Sequence, residues 1–166
     1  MKPFIGIHAT GDAEMYYIGP SIQAGSDLSL NQNFILSGYL HFFPRQIDRT
    51  YENGEFEKGS YRTFTAAILL EKKWRKRYDK GFFLAGGLAY QYLNDDFSAH
   101  FANWHRIRHI LLPALRTGYS FPIGKHQLTA ELNATGPSFY KLEDNGFTSN
   151  VTEILSQISI GTRFIF

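Results

Sequence analysis

The sequence of 166 residues contains no cysteine, which excludes a disulfide framework and a metal site built from thiolates. It also lacks any run approaching the roughly 18 consecutive apolar residues of a transmembrane helix. The longest apolar runs, 64–70 and 110–115, are short and interrupted by Thr or Pro. The formal net charge is only +2, which argues against a dedicated nucleic-acid binder.

Aromatic residues are abundant, at 16% of the chain, and much of the sequence alternates between apolar and polar positions. The length fits a single domain covering 1–166. Eight strand-like segments are predicted, at 3–10, 15–30, 34–46, 61–74, 81–95, 106–121, 127–142 and 151–166. Each exceeds or nearly meets the roughly 9–11 residues of a tilted membrane-spanning strand, whereas soluble strands are usually nearer 5–6 residues.

The predicted connections alternate in length. The links at 31–33, 75–80 and 122–126 are tight, whereas those at 47–60, 96–105 and 143–150 are longer and polar; the first link, 11–14, is a short exception. An even number of strands places both termini on the same side as the tight turns. Short turns on one side and longer loops on the other are typical of outer-membrane barrels.

In most segments the charged residues lie on the face opposite a long apolar row. The fifth segment is ambiguous, because Phe83 must turn inward if Phe82 and Leu84 face outward. Alternation alone leaves two interpretations open: the apolar rows face lipid, or they line the cavity of a soluble lipocalin-like carrier. Aromatic residues at both row ends favour the membrane. They are Phe34, Trp74, Phe82, Tyr119, Phe121, Phe164 and Phe166 on the tight-turn side, and Tyr16, Phe42, Tyr92 and Tyr140 on the loop side.

The last eight residues, 159–166, alternate and stop on a terminal aromatic residue. Gly161, Phe164 and Phe166 form the pattern polar-x-Gly-x-x-aromatic-x-aromatic at the carboxyl terminus. This pattern resembles the C-terminal assembly signal of Gram-negative outer-membrane β-barrels. We expect Gly161 and Phe166 to serve assembly more than folded stability.

The whole chain resembles the small eight-stranded outer-membrane barrels of the OmpX and OmpA transmembrane-domain type. The resemblance implies a closed, antiparallel, up-and-down, eight-stranded transmembrane β-barrel in the outer membrane. It also implies a monomer surrounded by membrane lipids and lipopolysaccharide and inserted by the barrel-assembly machinery. Because the first four residues are not a signal peptide, we expect the chain to be the mature part of an exported protein behind a start codon.

Four charged residues are predicted to face the lumen: Glu71, Arg116, Glu131 and Arg163. Eight strands leave an interior that side chains fill, so an ion-pair network there would satisfy these charges. A proton or ion path is the functional alternative.

The segment 100–109 is rich in His and Arg. His105 and His109 share a face but lie roughly 13 Å apart along a strand, too far for one metal ion. Arg106 and Arg108 lie at the loop-side rim, where they are candidates for contact with lipopolysaccharide phosphates, and a solvated basic loop is the alternative. The basic turn at 72–80 is a candidate for contact with anionic headgroups, although solubility explains it as well.

Enzyme motifs are missing: no Gly-x-Ser-x-Gly, His-Glu-x-x-His or phosphate loop occurs, and no cofactor is expected. A catalytic triad could be assembled from Ser138, His109 and Glu153, but nothing in their spacing requires it. The sequence favours a structural or surface-interaction barrel with a filled, non-conducting lumen and an unidentified loop-binding partner. A lipid A-modifying outer-membrane enzyme and the soluble carrier are the alternatives.

Overall fold

The computed structural model describes residues 1–12, 18–50, 56–75, 80–99, 102–144, 147–153 and 157–166. Its strands are β1 (Lys2–Asp12), β2 (Ile18–Ser29), β3 (Phe34–Thr50), β4 (Phe56–Arg75), β5 (Gly81–Ala99), β6 (Ala102–Ile123), β7 (His126–Thr135), β8 (Ser138–Asp144), β9 (Phe147–Glu153) and β10 (Gln157–Ile165). Eight of them form a closed barrel in the order β1-β10-β7-β6-β5-β4-β3-β2, and β8 and β9 form a separate two-stranded sheet. Among these residues no helix is long and apolar enough to cross a membrane.

The barrel closes between its first and last strands. They pair antiparallel from Phe4 opposite Ile165 to Asp12 opposite Gln157. Beyond this ladder the Phe166 amide donates a hydrogen bond of 3.0 Å to the Pro3 carbonyl. Every neighbouring pair in the barrel is antiparallel, which confirms the predicted fold class.

Two predicted strands on the loop side have different bounds. The predicted segment 127–142 is interrupted after Thr135, where Gly136 adopts a φ of 136° and Pro137 follows. Proline lacks the amide that a ladder needs, so β7 ends there. The chain then forms the β8–β9 hairpin, which includes much of the predicted loop 143–150 and the first residues of the predicted eighth segment.

The other two predicted long loops, 47–60 and 96–105, are mostly strand. β3 and β4 stay paired to Thr50 opposite Phe56, and β5 and β6 stay paired to Ala99 opposite Ala102. These extensions were missed because polar residues occur on both of their faces, which weakens the alternation that marks a half-buried strand. The four strands β3–β6 therefore form a protruding sheet above the rest of the barrel.

Prolines mark the rim where this protrusion begins. Pairing between β2 and β3 ends at Ile22 opposite Phe42, next to Pro20 and Pro44. Pairing between β6 and β7 ends at Ala114, next to Pro113. Since proline cannot donate to a ladder, its presence at these points stops pairing on one edge.

The inward and outward faces follow the predicted alternation, and the fifth strand is now resolved. Phe83 is fully buried in the lumen, while Phe82 and Leu84 are 49% and 47% exposed on the outside. Phe83 lies opposite Gly118 on β6, where an added Cβ would approach the Phe83 ring to 2.8 Å. A glycine facing an inward ring thus provides the room that the narrow lumen requires.

Candidate functional site

The centre of the lumen contains an ion-pair network formed by the four charged residues singled out in the sequence. The Arg163 guanidinium lies 3.4 Å from Glu71 Oε2 and 3.1 Å from Glu131 Oε2. Arg116 Nη2 lies 2.8 Å from the same Glu71 oxygen. All four side chains are 3% exposed or less. The network joins β4, β6, β7 and β10 across the lumen.

Two further charges complete this network. Asp27 on β2 accepts a hydrogen bond of 3.3 Å from Arg163, and Lys73 Nζ on β4 lies 3.4 Å from Glu71 Oε1. Within this network three carboxylates face three cations: Asp27, Glu71 and Glu131 against Lys73, Arg116 and Arg163. Asp27 and Lys73 were not among the residues predicted for this network, although each lies in phase with the other inward residues of its strand; their partners depend on the stagger between strands.

Aromatic rings surround the cations. The Arg163 guanidinium carbon lies 4.6 Å from the Phe4 ring centroid and 5.7 Å from that of Phe83. Arg116 lies 5.7 Å from the Tyr39 ring. These rings exclude water and add cation–π attraction, so they strengthen the ion pairs.

A layer of neutral polar side chains lies on the loop side of the charges. His8 connects the two layers through a 3.0 Å contact between Nε2 and Glu131 Oε1. Ser21 Oγ lies 2.8 Å from His41 Nε2 and 2.6 Å from Thr10 Oγ1. The cavity in this layer has a volume of about 10 Å³, the space of roughly one water molecule. Among the described residues, no cluster of three His, Asp or Glu side chains is arranged to hold a metal ion.

The outer wall is apolar. Among the described residues 25 large hydrophobic side chains are exposed, and Ile68, Leu111 and Ile160 on the outer wall are 64%, 68% and 64% exposed. A soluble protein rarely exposes so large a continuous apolar surface. Because these rows lie outside and the charges inside, the alternative of a soluble carrier with an apolar cavity is wrong.

The apolar wall has the height of a membrane. Trp74 lies ten positions after Phe64 on β4, and Tyr92 lies ten positions after Phe82 on β5. Ten residues cover about 33 Å of strand at roughly 3.3 Å each. A tilt of about 40° reduces this to roughly 25 Å, the height of the apolar band in transmembrane barrels.

The loop-side His and Arg residues have separate partners. Arg108 faces the barrel interior, where its Nη2 lies 2.8 Å from Asp95 Oδ2. His105 contacts Asp96, and His109 contacts the Tyr90 hydroxyl, both on the outer face. Because Arg108 points inward, its side chain faces away from the lipid. Its predicted contact with lipopolysaccharide is untested, and this orientation does not favour it.

Several other predicted features lie outside the described residues. They are the side chains of Tyr16, Arg106, Ser138, Tyr140 and Glu153, and the turn at 76–79. The possible lipopolysaccharide contact of Arg106 and the turn's contact with headgroups therefore stay predictions.

The C-terminal pattern combines a packed glycine with exposed rings. An added Cβ at Gly161 would lie 2.2 Å from the Ile7 carbonyl oxygen and 2.4 Å from His8 Cδ2. β1 therefore leaves no room for a side chain at this position, and the expectation that Gly161 serves assembly more than folded stability stays a prediction. Phe166 is 53% exposed, and its ring centroid lies 5.1 Å from that of Phe164. Recognition of these residues during assembly stays a prediction.

Solved outer-membrane proteins share this fold. Neisserial surface protein A is 8% identical with a TM-score of 0.65, and the match covers 99% of this chain and 93% of that one. Ail of Yersinia pestis, solved with the heparin analogue sucrose octasulfate, is 14% identical with a TM-score of 0.55, covering 99% and 97%. The N-terminal barrel domain of Pseudomonas aeruginosa OprF is 11% identical with a TM-score of 0.55, covering 99% and 97%.

No protein-family model and no curated protein match the chain, so sequence comparison assigns it to no family. At these identities the structural likeness is one of fold. The chain has the closed, eight-stranded antiparallel architecture of small outer-membrane barrels.

Proposed function

We propose that this chain is a single-domain integral outer-membrane barrel that conducts no solute and contacts other surfaces through its protruding sheet. The observation that carries the membrane location is the apolar wall of roughly 25 Å between two aromatic belts. The protein should require detergent for extraction and migrate faster on gels before heating than after it. A monodisperse preparation without detergent would contradict the proposal.

The lumen supports a non-conducting barrel. The charged network and the rings around it occupy the centre of the lumen, and the cavity lined by the polar layer has a volume of about 10 Å³. An ion would have to displace buried, paired charges to pass. In planar bilayers the purified barrel should give no stable conductance, and the variant Arg116→Ala/Arg163→Ala should leak if it folds. Channels of nanosiemens scale from the unaltered protein would overturn this part of the proposal.

The protruding sheet supports a role in surface interaction. Its outer edges lie on β3 and β6, which continue past the ends of their ladders with β2 and β7, at Phe42 opposite Ile22 and at Ala114 opposite Thr135 in the described part of the chain. Unpaired strand edges are templates for an added strand, and natural proteins cover or charge such edges. The partner is expected to bind through backbone hydrogen bonds to one of these edges.

A truncation tests this role. Replacing the tips of the β3–β4 and β5–β6 hairpins by two-residue turns near the rim should leave a barrel that still shows heat-modifiable migration. Cross-linking pull-downs with intact cells should then recover partners with the full barrel and lose them with the truncated one. Equal recovery by both forms would contradict the role of the sheet.

Modification of lipid A is the rival function, and a direct measurement distinguishes it from the proposed surface-interaction role. Mass spectrometry of lipid A from cells with and without the protein should show the same acyl pattern. A changed acyl pattern would replace the proposed role with an enzymatic one.

A further inference from the structure

An apolar groove of about 360 Å³ crosses the outer wall from β1 to β5. Its volume lies in the range of roughly 300–1,000 Å³ that is usual for ligand pockets. Small side chains create it: Ala24 and Ala66 lie on either side of Leu40, and Tyr90 lies opposite Ala66. The wall is therefore concave here, whereas Ile68 and Leu88, one row further from the loop side, are large.

A row of four aromatic side chains, the aromatic ridge, borders the groove on the loop side. It consists of Phe42, Phe64, Tyr92 and His109, with successive ring centroids 4.6, 6.2 and 5.2 Å apart. Aromatic belts occupy the level of the lipid headgroups. The groove therefore begins just inside the hydrocarbon region on the side of the protruding sheet, which is the outer leaflet.

A cation stands beyond the ridge in line with the groove. Arg62 faces outward on β4, two residues beyond Phe64, and is exposed. The nearby Lys58 pairs with Asp48 at 3.5 Å. In the described part of the chain no ion pair joins Arg62 to a carboxylate. A guanidinium at headgroup level suits a phosphate, which it can bind through two parallel hydrogen bonds.

We propose that the groove holds one acyl chain of a phosphorylated glycolipid of the outer leaflet, with a phosphate of that lipid on Arg62. The aromatic ridge separates the two parts of the ligand, since the acyl chain lies below it and the phosphate above it. This inference rests on the proposed membrane location. It assigns the lipid contact to residues other than Arg106 and Arg108.

Native mass spectrometry of the detergent-purified barrel tests this site. The probes are bisphosphorylated lipid A, dephosphorylated lipid A and phosphatidylethanolamine. The unaltered barrel should retain one lipid A and bind the other two about tenfold more weakly. Ala66→Leu fills the groove and Arg62→Gln removes the charge, so each should weaken lipid A binding by about tenfold.

Matched controls lie elsewhere on the barrel. Ala130→Leu adds the same bulk to an outward, exposed position on β7, and Lys125→Gln removes an exposed charge from the turn at the other end. Both should bind lipid A within about twofold of the unaltered protein. Arg62→Lys should bind better than Arg62→Gln, since it keeps the charge.

Each failure has a separate meaning. Unchanged binding by Ala66→Leu would overturn the acyl-chain site, and unchanged binding by Arg62→Gln would overturn the phosphate site. Equal binding of lipid A and phosphatidylethanolamine would overturn the glycolipid assignment. In all three cases heat-modifiable migration would still support the membrane barrel, whereas its loss in the unaltered protein would overturn the proposed function itself.

Discussion

The inner and outer faces of the same strands follow opposite rules. On β10, Arg163 is fully buried in the lumen, whereas Ile160 is 64% exposed on the outside. Inside, charges are tolerated because each has partners of opposite sign within about 3.5 Å. On the outer wall between the aromatic belts, the described residues form no ion pair, and the wall is apolar. The comparison teaches that burial in this fold selects for pairing, while exposure to lipid selects for apolarity.

The largest effect is expected from removing the central inner charge. Arg163→Met leaves Asp27, Glu71 and Glu131 in the lumen without their shared cation, which should cost about 3–5 kcal/mol in the free energy of unfolding. Urea unfolding in detergent measures it. Lys125→Met, in an exposed turn, is the control and should change little. Stability equal to that of the unaltered protein would show that the buried network does not hold the barrel together.

A charge added to the outer face should have the next largest effect. Ile68 lies near the middle of the apolar band, so Ile68→Arg should lower the free energy of unfolding in lipid by roughly 2–4 kcal/mol. Ser60→Arg, on the same face of β4 but beyond the aromatic ridge, should be nearly neutral. Equal costs for both variants in lipid vesicles would contradict the position of the membrane on the barrel.

Filling an inward glycine should have a smaller effect. Gly161→Ala places a methyl group against His8 and the Ile7 carbonyl, which should cost about 1–3 kcal/mol through overpacking. Gly86→Ala is the matched control, because its Cβ would meet only Leu115 at 3.6 Å. Thermal unfolding in detergent compares the two. If the Gly161→Ala and Gly86→Ala variants are equally stable, β1 can move enough to accommodate the added methyl group at position 161.

The smallest effect on the folded state is expected at the terminal ring. Phe166→Ala removes a half-exposed side chain, so the free energy of unfolding in detergent should change by less than about 0.5 kcal/mol. The amount inserted in cells should nevertheless fall, if the assembly machinery reads this residue. Phe121→Ala changes an exposed ring of the same belt and should insert normally. Equal insertion of both variants would contradict the predicted assembly role of Phe166.

Much of the barrel follows from alternation, since a period of two residues assigns each side chain to a face once a strand is identified. The charges of Glu71 and Arg163 were placed inward in this way. Where polar residues lie on both faces of a strand, as in the protruding parts of β3 and β6, the alternation that identifies a strand is weak. The break of the predicted seventh strand at Pro137 was also missed, although proline there was a local indication.

The sequence by itself determined the number of barrel strands, the face of most side chains and the apolar wall, because these depend on periodicity within single segments. Only the tertiary structure decided which charges meet, since partners such as Asp27 and Arg163 lie far apart in the chain and are joined by strand stagger and closure. It also decided that Phe83 turns inward, because the room comes from Gly118 on another strand. The groove beside the aromatic ridge likewise exists only where side chains from five strands meet.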